Sequence, residues 1–287
     1  MEVRTPIEIL TYTNKAGTVK AQRGVVSLLI LSFLAGVFIA FAGVGSTMAS
    51  HNLFANPETT GLARTLTGIT FATGLMLVLM AGGELFTGNT MIIIPVLERK
   101  ITVKQMLLNW LLAYLGNLIG CLLIAWMMSR SGMFSTSGGL LGGMVIRTAV
   151  SKVSMPFHMA FILGILCNWM VCLAIWTSYA SRDVTGKILM VFFVISLFVI
   201  SGFEHSIANM YYIPAGILAK QNPQWAAMSQ SSAAQLADVN WLTFWTKNLI
   251  PVTLGNIVGG AGLVWTLFWA ALRDSAAKDA HEQQQQH

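Results

Sequence analysis

His205 stands in the block Gly202-Phe203-Glu204-His205-Ser206-Ile207-Ala208-Asn209-Met210, which interrupts an apolar run of membrane length. An ionisable side chain at that depth marks a functional site by default. Imidazole changes charge near neutral pH, so it could give a hydrogen bond or a proton to a small solute. Its plainer role is a structural bond to a backbone carbonyl. A similar block lies 119 residues earlier, Gly83-Glu84-Leu85-Phe86-Thr87-Gly88-Asn89-Thr90-Met91, and the two run on to Ile94-Pro95 and Ile213-Pro214. At this offset Phe86 falls opposite His205 and Thr87 opposite Ser206. Thr87 is therefore a candidate hydrogen-bond partner for the histidine across a pseudo-twofold centre, with helix capping as its alternative.

Both blocks read as breaks in membrane helices. Lipid cannot satisfy free amides and carbonyls, so irregular backbone at membrane depth lies inside protein or beside a cavity. A half-helix amino terminus also presents N–H donors and partial positive charge, which suits a small anion. Glycines 82, 83, 88 and 202 permit the turns. Glu84 and Glu204 flank the breaks. A carboxylate facing the pore would repel an anion, so these two are expected to be structural, capping half-helices or binding loop amides. A second repeat, at a spacing of 139, pairs Asn109, Gly116, Asn117, Gly120 and Trp126 with Asn248, Gly255, Asn256, Gly259 and Trp265. The glycines, four apart, suit close helix or subunit packing. Asn168 and Asn209, amides within apolar spans, suit interhelical hydrogen bonds.

Stepping these residues into elements gives a membrane protein. The 287 residues are 55% hydrophobic and 10% charged, far below the roughly 25% charge of soluble domains. The apolar runs are continuous, which excludes a barrel, and the net charge of +6 resides in short loops rather than on a nucleic-acid surface. Cys121, Cys167 and Cys172 all fall in spans; they suggest neither a disulfide framework nor a zinc site. Residues 1–24 are too polar for a cleaved signal peptide, so the first apolar run is expected to be retained.

The expected organisation has three parts: a cytoplasmic amphipathic segment over 1–24, a six-helix channel domain over 25–272, and a polar, disordered tail over 273–287. The spans are expected at 25–48, 66–94 (broken at 82–88 and ended by Pro95), 105–128, 158–179, 188–217 (broken at 201–205) and 249–272. Loops are expected at 129–143 and 219–245. Eleven Lys and Arg residues against six favour both termini on the cytoplasmic side. Two halves of three spans each must be inverted relative to one another. The fold class is thus all-α, six transmembrane helices in two inverted repeats with helices 2 and 5 broken, the signature of a transport pathway.

The two break blocks, together with Leu166-Cys167-Asn168-Trp169-Met170-Val171-Cys172-Leu173-Ala174-Ile175-Trp176, resemble the formate/nitrite transporter family from about residue 25 to 272. The resemblance implies an aquaporin-like protomer, a homopentamer and a bacterial inner-membrane location. It implies that His205 is the central pore histidine and Thr87 its partner. Lys152, by itself an ordinary loop lysine with its head in water, is similar to the family's vestibule lysine. Phe71, Leu85 and Phe198 resemble one apolar constriction, and Leu75, Phe86 and Val171 the other. Asn168 and Asn209 correspond to amides beside the central chamber. Glu84 and Gly88 stand where formate members often carry Asp and Ser, and look more like nitrite-type members.

The function expected is a channel, not an enzyme, for small anions of weak acids. Formate or nitrite comes first, with hydrosulfide and short carboxylates as alternatives, and with protons as co-substrates at low pH. No cofactor or metal is expected. A neutral-solute pore would favour an arginine filter, and no arginine falls inside the expected spans. A haem-bearing membrane subunit needs facing histidines, and His158 and His205 are expected at different depths.

Overall fold

The computed structural model describes residues 3–285, with side chains described as far as Ala276. The first helix, α1 (Pro6–Ala21), starts where its residues dictate: Thr5 and Glu8 form a reciprocal capping box around Pro6. Its Ile9 and Leu10 are buried, and Arg4 Nη1 donates to the carbonyl of Tyr179 at 2.7 Å. The amphipathic segment thus packs under the bundle. The following helices are α2 (Val25–Ser50), α3 (Thr60–Ala81), α4 (Phe86–Leu97), α5 (Val103–Arg130), α6 (Leu140–Val153), α7 (Phe157–Ala180), α8 (Val184–Ile200), α9 (Ser206–Ala219) and α10 (Trp241–Ala276).

Among the described residues five helices are long and apolar enough to cross a membrane: α2, α3 with its preceding turn, α5, α7 and α10. Their surfaces agree. Leu107, Leu111, Leu115 and Ile119 make an exposed apolar stripe at four-residue spacing along α5, a face that water would not tolerate. Two helices stop short. After α3, Gly82 takes a left-handed φ of 89° and α4 begins at Phe86. After α8, Gly202 takes a φ of 78° and α9 begins at Ser206.

Several expected boundaries are corrected. Arg64 lies inside α3, which begins at Thr60 rather than 66. Pro95 does not end its helix, which runs to Leu97. A 3₁₀ turn at Thr90–Ile92 precedes it, so Pro95 is third in a new helical turn, where its missing amide would have lacked a partner. The glycine-rich stretch expected as a loop contains a 3₁₀ segment, Met133–Gly139, and the start of α6. Gly142 and Gly143 are helical because Trp225 and Met228 pack against them. The expected loop at 219–245 holds two short helices, Pro223–Met228 and Ala233–Asp238. The final helix continues to Gln285, so the tail is helical rather than disordered through that residue; alanine and long polar residues favour this. Residues 286–287 lie outside the described chain.

The four repeat glycines allow helices to touch within the protomer. A Cβ on Gly120 would overlap the Phe33 carbonyl of α2, and one on Gly259 would overlap the Ile165 carbonyl of α7. Gly120→Ala is therefore expected to destabilise by about 1–3 kcal/mol. Gly61→Ala, where nothing lies within 4 Å, is expected to leave the melting temperature unchanged or raised. Thermal unfolding of the two variants in detergent tests this contrast.

Candidate functional site

The two interruptions are built from the same polar network used twice. At the first, Glu84 Oε2 accepts from Lys20 Nζ at 2.9 Å and from Asn89 Nδ2 at 2.8 Å, while Arg23 Nε lies 3.3 Å from Oε1. Asn89 also donates to Asn109, which donates to the Lys20 carbonyl. Asn117 accepts from the Phe86 amide at 2.9 Å and donates to the carbonyls of Ser32 and Glu84. At the second, Glu204 accepts from Lys152 at 2.9 Å and Asn209 at 2.6 Å. Asn209 donates to Asn248, which donates to the Lys152 carbonyl. Asn256 accepts from the Ser206 amide at 3.0 Å and donates to the carbonyls of Gly164 and Glu204.

This geometry bears on one of the two structural roles expected of the carboxylates, the capping of half-helices. The first amides of α4 and α9 are taken by Asn117 and Asn256, so Glu84 and Glu204 do not cap those helices. They are instead buried charges, each paired with a partly exposed cation and hydrogen-bonded to an asparagine, as buried charge requires. The sequence reading missed Lys20, Arg23 and Asn89, and recorded Asn109, Asn117, Asn248 and Asn256 only as a repeat. One available signal for Lys20 is its position. Lys20 and Lys152 each stand five residues before the first residue of a long apolar helix, α2 and α7.

His205 and Thr87 meet between these networks. His205 Nε2 is 2.9 Å from Thr87 Oγ1, and His205 Nδ1 accepts from the Ala208 amide at 3.1 Å. An acceptor Nδ1 carries no proton, so the neutral ring bears its proton on Nε2 and donates it to Thr87. The Thr87 hydroxyl proton is then available to another acceptor. Both residues are buried. Behind Thr87, Asn168 donates to the Asn256 carbonyl at 2.7 Å and to the Thr87 carbonyl at 3.3 Å. A Cβ on Gly260 would overlap Asn168 Nδ2 and Thr90 Oγ1. That glycine lies in a π-helical stretch of α10, Val258–Trp265, of the kind often found at functional sites.

Cavities approach this pair from two sides. On the side away from α1, a cavity of ≈190 Å³ is lined by Phe71, Phe198, Lys152, His205 and Asn209. Phe71 and Phe198 meet edge to face, with centroids 6.0 Å apart. On the α1 side, a vestibule of ≈390 Å³ includes Lys15, Lys20, Arg23, Gly83, Glu84 and Lys187. A space of only ≈20 Å³, lined by Leu75, Leu85 and Gly88, lies against it. Phe71 and Leu75 are one turn apart on α3, about 6 Å along its axis. The apolar walls are thus stacked closely along that helix.

Not every expected site residue lines these cavities. The linings exclude Thr87, Asn168, Phe86 and Val171; Thr87 is reached only through its hydrogen bond to His205. Phe86 packs edge-on against Trp110 and Tyr114 of α5, Val171 is buried in α7, and the Asn168 amide is occupied as described. His158 is exposed while His205 is buried, so these two do not form a facing pair. The three cysteines are buried and unpaired.

An all-helical membrane chain in which the helices that follow the Gly82 and Gly202 turns meet at a histidine–threonine pair has the form of a channel or transporter. The chain belongs to the formate/nitrite transporter family, whose model matches residues 7–270. It is 39% identical over 266 residues to the formate channel FocA of Escherichia coli (strain K12), covering 92% of this chain and 93% of that one. It is 34% identical over 280 residues to a probable formate transporter of Methanothermobacter thermautotrophicus, covering 93% and 96%. Among solved structures, a pentameric formate channel with formate bound superposes with a TM-score of 0.77 at 36% identity, covering 86% of this chain and 97% of the other.

Proposed function

We propose that the protein is a channel for small monovalent anions of weak acids, with formate ahead of nitrite. The order rests on relatives named as formate channels, and it sets aside the nitrite-like reading of Glu84 and Gly88. Hydrosulfide and short carboxylates are secondary substrates of the same pathway. The architecture proposed is six spans in two inverted three-helix repeats. Spans 2 and 5 are α3–α4 and α8–α9, each broken at its glycine. The near-identical hydrogen bonding of Glu84 and Glu204 supports that symmetry. A homopentamer in the inner membrane with the α1 side cytoplasmic completes the reading.

The observation that carries it is the Thr87–His205 hydrogen bond between apolar walls. A bare anion in an apolar slit costs several kcal/mol or more. At the centre the free Thr87 hydroxyl proton meets the anion, and His205 polarises that hydroxyl from behind. Full protonation of the anion requires His205 first to take a proton at Nδ1, which displaces the Ala208 amide. The imidazolium then gives its Nε2 proton to Thr87 as Thr87 gives its own to the anion. The neutral acid crosses the walls formed by Phe71, Phe198, Leu75 and Leu85. Lys152 and Asn209 bias entry from the far side. Only protons are exchanged and the solute leaves as the same acid or its anion, so the protein is not an enzyme in this reading.

Thr87 gives a clean test. Thr87→Ser keeps the hydroxyl and is expected to retain most formate flux. Thr87→Val removes it at nearly constant volume. A hydrogen bond to a charged group is worth about 1.5–3 kcal/mol, so flux is expected to fall about 10- to 100-fold. Equal flux in Thr87→Val and wild-type proteoliposomes would remove the hydroxyl from the mechanism. The same vesicles test the neutral-solute rival, since osmotic swelling with glycerol and no anion flux would favour it.

A further inference from the structure

We propose that Arg64 and Arg147 form an anion-binding station at the mouth away from α1, holding a small planar oxyanion before it reaches Lys152 and His205. The inference rests on the anion-channel reading and names a site on its route. A cavity of ≈410 Å³ includes Arg64, Arg147, Thr148, Ser151 and Lys152 in its lining. It shares the lining residues Thr67, Lys152, Gly202 and Glu204 with the cavity that reaches His205. Gly202 is the left-handed residue of the second interruption, and Arg64 Nη1 lies 3.8 Å from where its Cβ would stand.

Charge in this mouth is unbalanced. Lys152 is neutralised by Glu204 at 2.9 Å. Among the described residues no carboxylate pairs with Arg64 or Arg147. Arg147 Nη2 is buried and has no hydrogen-bond partner, and a buried donor left unpaired is costly. A planar two-oxygen anion would satisfy it, because the guanidinium fork matches a carboxylate in shape and charge. Helix periodicity aligns the route. Arg64, Thr67, Phe71, Leu75 and Val78 recur at three- and four-residue spacing on α3, so one face passes from cation through hydroxyl to apolar wall. Arg147 and Ser151, four residues apart on α6, share a face in the same way.

Phenylglyoxal labelling of the intact oligomer in lipid nanodiscs, read by peptide mass spectrometry, tests the station. Sodium formate is expected to slow modification of Arg64 and Arg147 several-fold, with neutral formamide ineffective. Exposed Arg130, at the end of α5, is expected to react at the same rate throughout. Unchanged rates at Arg64 and Arg147, or equal slowing at Arg130, would overturn the proposal. Formate flux in liposomes separates it from the reading beneath it. Flux without protection removes the station and keeps the channel, whereas protection without flux keeps the station and removes the channel.

Discussion

Replacing His205 by phenylalanine is expected to lower formate uptake at mildly acidic pH by about 10- to 100-fold and to flatten its pH dependence. His205 is the titratable group in contact with Thr87, and its Nε2 sits 2.9 Å from the hydroxyl proposed to meet the anion. Phenylalanine preserves the packing against Phe198, whose ring centroid is 6.2 Å from that of the imidazole. It removes the Nε2 proton and the acceptor for the Ala208 amide. The apolar walls remain, so a permanently charged anion gains nothing from the change. Uptake from vesicles at several pH values, with oligomer integrity checked by gel filtration, gives the comparison. Wild-type pH dependence and anion selectivity in His205→Phe would eliminate the proton-relay role.

The second large effect is on stability. Glu204→Ala leaves the half-buried Lys152 without its counter-ion and removes one acceptor each from the amides of Asn209 and Asn248. Removing one partner of a buried pair costs about 3–5 kcal/mol, enough to drop the melting temperature markedly or abolish folding. The paired replacement Glu204→Met with Lys152→Met is expected to recover much of that loss, because apolar substitutes for buried ion pairs are often neutral. The same pattern is expected at Glu84, with Lys20 and Arg23 in place of Lys152. Additive losses in the double variant would show that the two side chains act independently, contrary to the geometry.

Much of the frame was legible before any coordinates. The repeat offset set Thr87 opposite Ser206, beside His205, which made it a candidate partner for the histidine, and the two are hydrogen-bonded. The glycines at 82 and 202 carried the left-handed turns, because few other residues adopt that backbone. Other features were hidden for physical reasons. Gly142 and Gly143 read as a loop, since a sequence does not reveal that Trp225 and Met228 will fill the space beside them. Arg64 read as a loop residue because hydropathy falls before a helix ends, and this displaced the only arginine able to reach the second interruption from α3. That corrected position also weakens the argument that no span contains an arginine. Lys20 was passed over because α1 lies outside the apolar runs; only packing brings it to Glu84. Phe86 and Asn168 show the converse. Family resemblance gave them pathway roles, while their contacts are with Trp110, Tyr114 and the backbone around Thr87.

The central claim is selective passage of weak-acid anions through the Thr87–His205 gap. It is tested most directly by uptake into proteoliposomes holding the folded oligomer, comparing formate, nitrite, hydrosulfide, acetate and chloride over a mildly acidic to neutral pH series. The account predicts uptake of formate ahead of chloride, rising as the pH falls. Absence of flux for every weak-acid anion, or equal conductance of chloride and formate at all pH values, would contradict it.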